Sequence, residues 1–179
     1  MSRIGATYAQ SLYELALEED LTATILSQMD AVRSAFETEP RFYTLLSAQD
    51  IPREERMSIL DSCFRGNVEP YLLNFLKILT EKGIIRHYSE CCDAYRSLYN
   101  RDNGIIPVSV LSAVPLREEQ KERLKAKLDG ITGKNVELNC RVDEKFLGGV
   151  RLDYDGTRID GTVAGRLASV AELLKNAAI

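Results

Sequence analysis

"SLYNRDNGIIPVSVLSAV", Ser97–Val114, is where the sequence changes rhythm. Before it, apolar residues return every three or four positions, the period of a helix with one buried face. Asn103-Gly104 is a turn signal. Beyond it, "PVSVLSAV" reads as a strand. The joint at Gly104 therefore divides the chain into a helical part, 1–104, and a part of mixed structure, 105–179.

Working upstream, Gly and Pro are sparse and fall at joints: Pro40, Pro52, Gly66, Pro70 and Gly83. They delimit helices near 4–19, 21–38, 41–47, 53–65, 70–82 and 84–101. The joints are short, so neighbouring helices are expected to pack antiparallel as a six-helix bundle.

Downstream, "PLREEQKERLKAKLDGI" is a charged helix opened by Pro115 and apolar at Leu124, Leu128 and Ile131. "NVELNCRV" alternates Val136, Leu138, Cys140 and Val142, the period of a half-buried strand. The close repeats Val163, Leu167, Val170 and Leu174 at helical spacing. The fold class is α followed by α/β: a helical bundle, then a small β-α-β-β-α domain. Residues 1–104 carry a net charge of −5 and residues 105–179 a net charge of +1, which suggests two surfaces for two different partners.

The glycine-rich stretch "FLGGVRLDYDGTRIDGTVAGRL", Phe146–Leu167, has neither the Walker spacing nor GxGxxG. Counted as an EF-hand loop from Asp153, position twelve is Ala164, where glutamate is required. An architectural reading fits better. Val150, Leu152 and Tyr154 alternate on one face, Asp155-Gly156 turns the chain, and Arg158-Ile159 begins the return strand. Gly148-Gly149 marks a bulge or a close backbone approach. Asp160, beside Gly161, is placed to cap the last helix.

Composition narrows the function classes. A net charge of −4 argues against a general nucleic-acid binder. "MSRIGATYAQ" lacks the apolar core of a signal peptide, and no apolar run approaches the roughly 20 residues that span a bilayer. Cys63, Cys91, Cys92 and Cys140 form no CxxC pair, and with one histidine, His87, there is no zinc spacing. Reduced thiols in a cytoplasmic protein are expected.

No constellation of nucleophile, base and orienting group is present. His87 falls at the edge of its helix's apolar stripe and reads as structural. Glu54-Glu55 and Glu118-Glu119 open helices and complement their dipoles. A binding role without cofactor or metal follows.

Periodicity is more informative. At 100° per residue, Ile84, Tyr88, Cys91, Cys92, Tyr95, Leu98 and Tyr99 lie within about 140°, an ordinary amphipathic face. The first helix, from Ile4 through Tyr8, Leu12, Leu15 and Tyr13 to Leu17, sweeps about 220°, and "YLLNFLKIL" sweeps a similar arc. Each carries more apolar surface than one neighbour can cover. Either both helices are enclosed at the centre of the bundle, or a groove between them receives an amphipathic helix from another protein.

"YAQSLYELA", "LLNFLKILTEKGIIRHYSECCDAYRSLYN", "VSVLSAVPLREEQKERLKAKL" and "VDEKFLGGVRLDYDGTRIDGTVAGRL" occur in that order. From about Tyr8 to Leu174 the sequence resembles the delta subunit of the F-type ATP synthase, the family of the mitochondrial oligomycin-sensitivity-conferring protein. The resemblance implies a non-catalytic stator component, one copy per complex. Its bundle would bind the N-terminal helix of an alpha subunit of the catalytic head, in a groove between the first and fifth helices lined here by Tyr8, Leu12, Leu15, Asn74, Ile78 and Leu79. Its C-terminal domain would grip membrane-anchored b-type stalk subunits. That implies a peripheral position at the cytoplasmic face of the bacterial plasma membrane, where proton flow drives ATP synthesis. "DYDGTRIDGT" and "CCDAY" depart from the family's usual pattern, away from the implied groove. A helix-binding adaptor unrelated to the synthase would present the same periodicity.

Overall fold

The architecture was read from a computed structural model of the chain, which describes residues 3–48, 50–144, 148–154 and 157–161. Contacts divide the chain into two compact units, Met1–Tyr99 and Asn100–Ile179.

The first unit is built from α1 (Arg3–Glu18), α2 (Thr22–Thr38), α3 (Arg41–Ser47), α4 (Arg53–Phe64), α5 (Pro70–Glu81), a 3-10 turn at Ile85–His87 and α6 (Tyr88–Asp102). Pro70 opens α5 at its first turn, where a missing N–H costs nothing, and the Glu69 N–H donates to Gln28 Oε1 at 2.8 Å. Glu54 and Glu55 stand in the first turn of α4, favourable to its dipole. One core serves all of these elements. Ile25, Met29, Val32, Phe36, Leu46, Leu60, Ile85, Tyr88 and Tyr95 are at most 2% exposed. Phe36 packs against Phe42, Tyr43, Phe64 and Tyr88, with ring centroids 4.5–6.2 Å apart.

The apolar face expected on 84–101 is the face that α6 buries: Tyr88, Cys91, Cys92 and Tyr95 are sealed, with Ile84, Leu98 and Tyr99 resting on the core. The buried phenols keep hydrogen-bond partners. Tyr88 Oη donates to the Met29 carbonyl and Tyr95 Oη to the Thr22 carbonyl, both at 3.1 Å. At the rim of the α2–α6 contact, Arg33 bridges Asp30 and Asp93, and Arg96 also meets Asp30.

The second unit holds β1 (Ile105–Ser112), α7 (Glu118–Thr132), β2 (Asn135–Val142), β3 (Val150–Tyr154) and β4 (Thr157–Asp160), in one sheet of order β2-β1-β3-β4. β1 and β2 are parallel, so the chain needs a crossover, which α7 supplies. β3 returns antiparallel to β1, and β4 antiparallel to β3. The return strand makes this a fourth strand, one more than the expected β-α-β-β-α order contains. The closing helix and the Asp155-Gly156 turn lie outside the described residues.

Val108, Val110 and Val136 form the core of this unit, with Leu116, Leu124 and Leu128 packed against them. Ile131, expected on the same stripe, is 80% exposed in the last turn of α7. That turn is committed to leaving the helix. Gly133 takes φ +65, and Asp129 Oδ1 accepts the Val136 N–H at 2.7 Å. Across the strands Asp153 accepts from Arg158 at 2.6 Å and lies 3.3 Å from Arg151, and the Arg158 guanidinium holds its carboxyl below the usual range.

Gly149 sits at φ +92, a conformation that disfavours side chains, and Gly148 at φ 154. At Gly161 an added Cβ would meet the Val150 carbonyl oxygen at 3.0 Å, and the Gly161 N–H already donates to that oxygen. Asp160 ends β4 opposite Arg151. The helix that it is expected to cap lies outside the described residues.

Two predictions follow from this packing. Gly149→Ala and Gly161→Val should each destabilise the second unit by about 1 kcal/mol or more in urea titrations, through backbone strain at the first and crowding at the second; unchanged midpoints would contradict them. Burial pushes the Cys91 thiol up to about 11 and the Cys92 thiol up to about 12. Because these folded values lie above the unfolded thiol value, their contribution is complete below pH about 8.5 and lost as pH rises through the folded values. A thiol reagent at neutral pH should modify exposed Cys63 promptly, and Cys91 and Cys92 only on unfolding.

Candidate functional site

α1 and α5 pack directly against each other. The Tyr71 phenol, in the first turn of α5, lies close enough to Glu19, just past the end of α1, for that carboxylate to raise its pKa. The end of one helix therefore meets the start of the other, and the pair runs antiparallel.

Helical geometry sorts the wide arc of α1 into three strips. Ala9, Leu12, Tyr13 and Ala16 occupy its middle and are buried. Tyr8 and Leu15 lie on one edge and are half-buried; Ala6 and Leu17 lie on the other and are exposed. α5 divides likewise. Leu72, Phe75, Leu76, Leu79, Thr80 and Leu73 face inward. Tyr71 and Ile78 are half-buried at one edge, beside exposed Asn74. Tyr8 and Tyr71 rest on the core, whereas Leu15 and Ile78 are not among the partly buried hydrophobics that pack against it.

The six residues expected in a groove thus split. Leu12 and Leu79, 4% and 0% exposed, belong to the core. They sit at the centre of their arcs, where the chain's own helices cover them, and can only support a floor. Tyr8, Leu15 and Ile78 are half-buried and Asn74 is exposed, so these four keep accessible surface. Neither helix is sealed on all sides.

Periodicity alone did not reveal what lies beyond Asn74. A cavity of about 300 Å³ opens between α5 and the turn before it, lined by Arg65, Val68, Pro70, Leu73, Asn74 and Lys77. A larger hollow of about 920 Å³ runs along α4, lined by Pro52, Arg53, Glu54, Met57, Asp61 and Arg65 among others. His87, the sole base of neutral-pH strength in the sequence, is half-buried with Nδ1 3.0 Å from Glu90 Oε1. The two stand three positions apart in sequence, an ordinary pairing along one helical face.

A family model described as ATP synthase delta (OSCP) subunit matches residues 4–174. The ATP synthase subunit delta of Alkaliphilus oremlandii is 32% identical over 171 residues, covering 96% of this chain and 95% of its own. That of Symbiobacterium thermophilum is 33% identical over 174 residues, covering 97% and 94%. Among solved structures, a chain of the Toxoplasma gondii mitochondrial ATP synthase hexamer superimposes with a TM-score of 0.72 over 97% of this chain and 98% of its own. At 19% identity, that likeness concerns the fold. By its sequence over residues 4–174, this chain belongs to the ATP synthase delta (OSCP) subunit family.

Proposed function

We propose that the chain is a non-catalytic stator subunit of an F-type ATP synthase. The strip on α1 and α5 receives the N-terminal helix of an alpha subunit of the catalytic head. The second unit holds the b-type stalk subunits, which are anchored in the membrane. One copy per complex then keeps the head from turning with the rotor, so that proton flow drives ATP synthesis. No helix among the described residues is long and apolar enough to cross a membrane, and the chain attaches at the cytoplasmic face through these partners.

The observation that carries this reading is the half-buried edge of Tyr8, Leu15 and Ile78 above a floor that includes Leu12 and Leu79. An amphipathic helix laid on that edge buries apolar surface on both sides. About 400–500 Å² removed from water contributes roughly 10–12 kcal/mol gross. Association entropy and side-chain ordering offset much of it, leaving room for micromolar binding or tighter.

The reading is tested by titrating the protein with a peptide of the alpha subunit's N-terminal helix. Saturable binding at micromolar concentration or below is expected, and none would contradict it. Ile78→Asp should weaken binding by about 2 kcal/mol while leaving the melting temperature close to wild type. Leu79→Ala should instead cost about 2–5 kcal/mol of stability, because it opens a cavity in the core. Equal destabilisation by both would show that Ile78 is a core residue.

A further inference from the structure

The α1–α5 strip continues, across Asn74, into the 300 Å³ cavity beside the start of α5. Gly66, at φ +83, reverses the chain after α4, and a bridge between Arg65 and Val68 closes the turn. Arg65 is thereby brought to the same cavity as Lys77, one turn beyond Leu73 on α5. Val68, Pro70 and Leu73 give the cavity an apolar wall. Asp61 Oδ1 lies 2.9 Å from Arg65 Nη2 and 2.6 Å from Lys77 Nζ. Two cations thus share one carboxylate, and a positive charge is left over. The Lys77 side chain is only 26% exposed, so salt screens it less than a free surface lysine.

The other flank of α5 has the opposite character. There the Glu19 carboxylate stands beside the Tyr71 phenol and raises its pKa. An incoming carboxylate is repelled on that side and attracted on the Lys77 side. The two flanks of the strip therefore differ in sign.

We propose that the cavity is an acidic side-chain subsite of the α1–α5 surface. The helix seated on Tyr8, Leu15 and Ile78 places a Glu or Asp carboxylate over Lys77 and Arg65, with its methylenes against Val68 and Leu73. A charge-assisted bond of this kind positions as well as attracts. The subsite rests on the helix-binding reading above and adds to it which face of the helix turns toward α4.

The test is a set of double-mutant cycles. The peptide of the alpha subunit's N-terminal helix, and versions with each acidic residue replaced in turn by its amide, are titrated into wild-type protein and Lys77→Gln at low and high salt. Lys77→Gln should weaken binding about fivefold and flatten the salt dependence. One amide-substituted peptide should lose about the same factor against wild type and nothing further against Lys77→Gln. If Lys77→Gln melts well below wild type, Arg65→Gln, whose side chain is 70% exposed, takes its place in the cycle. If the peptide binds but no acidic position couples to either cation, the subsite is overturned and the helix-binding reading stands. If wild-type protein binds no peptide at all, both are overturned.

Discussion

Leu72, Leu76 and Leu79 seat α5 in the helical core with no exposed surface, and the rest of the first unit is arranged around that seating. Each buried leucine contributes about 2 kcal/mol relative to exposure, so this one helix face is a large share of a domain's margin. The core, however, covers only part of what α5 offers. Burial runs from Phe75 to Leu73, about 160° of the helix, and stops short of Tyr71 and Ile78. α1 meets the same limit between Tyr13 and Leu12. Because the two helices are antiparallel neighbours, their unburied edges can serve one occupant. The accessible edge of α1 and α5 is thus a by-product of the packing that makes the unit stable.

Charge is used differently in the two units. In the first, the ion pairs of Asp30, Arg33, Asp93 and Arg96 ring the α2–α6 contact at partly exposed positions, where they fix register more than they add stability. Among its described residues the second buries Val108, Val110 and Val136, and it leans on local backbone devices as well. Asp129 holds the start of β2, Gln120 accepts the Arg117 N–H at the head of α7, and Gly161 lets the chain lie against Val150. A unit of this kind is sensitive to single backbone changes.

Much of this was legible in the sequence. Helix limits follow from Pro52, Pro70 and Gly83, because these residues act locally on φ and on hydrogen bonding. Arc width is also a local property, and it exposed the surplus on α1 and α5. Which edge stays open is not local: it depends on where α2, α4 and α6 pack, so periodicity cannot separate buried Leu12 and Leu79 from half-buried Leu15 and Ile78. Gly149 and Gly161 both read as special, but the reason at each depends on its neighbours. Gly161 is crowded by Val150, eleven positions away in sequence. The cation pair at the cavity was invisible for the same reason. Arg65 and Lys77 stand twelve residues apart, and only the turn at Gly66 and the carboxylate of Asp61 bring them together.

The central claim is that the half-buried edge of α1 and α5 is covered in the assembled enzyme. Hydroxyl-radical footprinting of the protein, alone and bound to the catalytic head, tests it most directly by reporting side-chain accessibility residue by residue. Tyr8, Leu15, Tyr71 and Ile78 should be labelled in the free protein and protected in the complex, with Leu72 and Leu76 unlabelled in both. Unchanged labelling of that edge, with protection appearing along α4 instead, would contradict it.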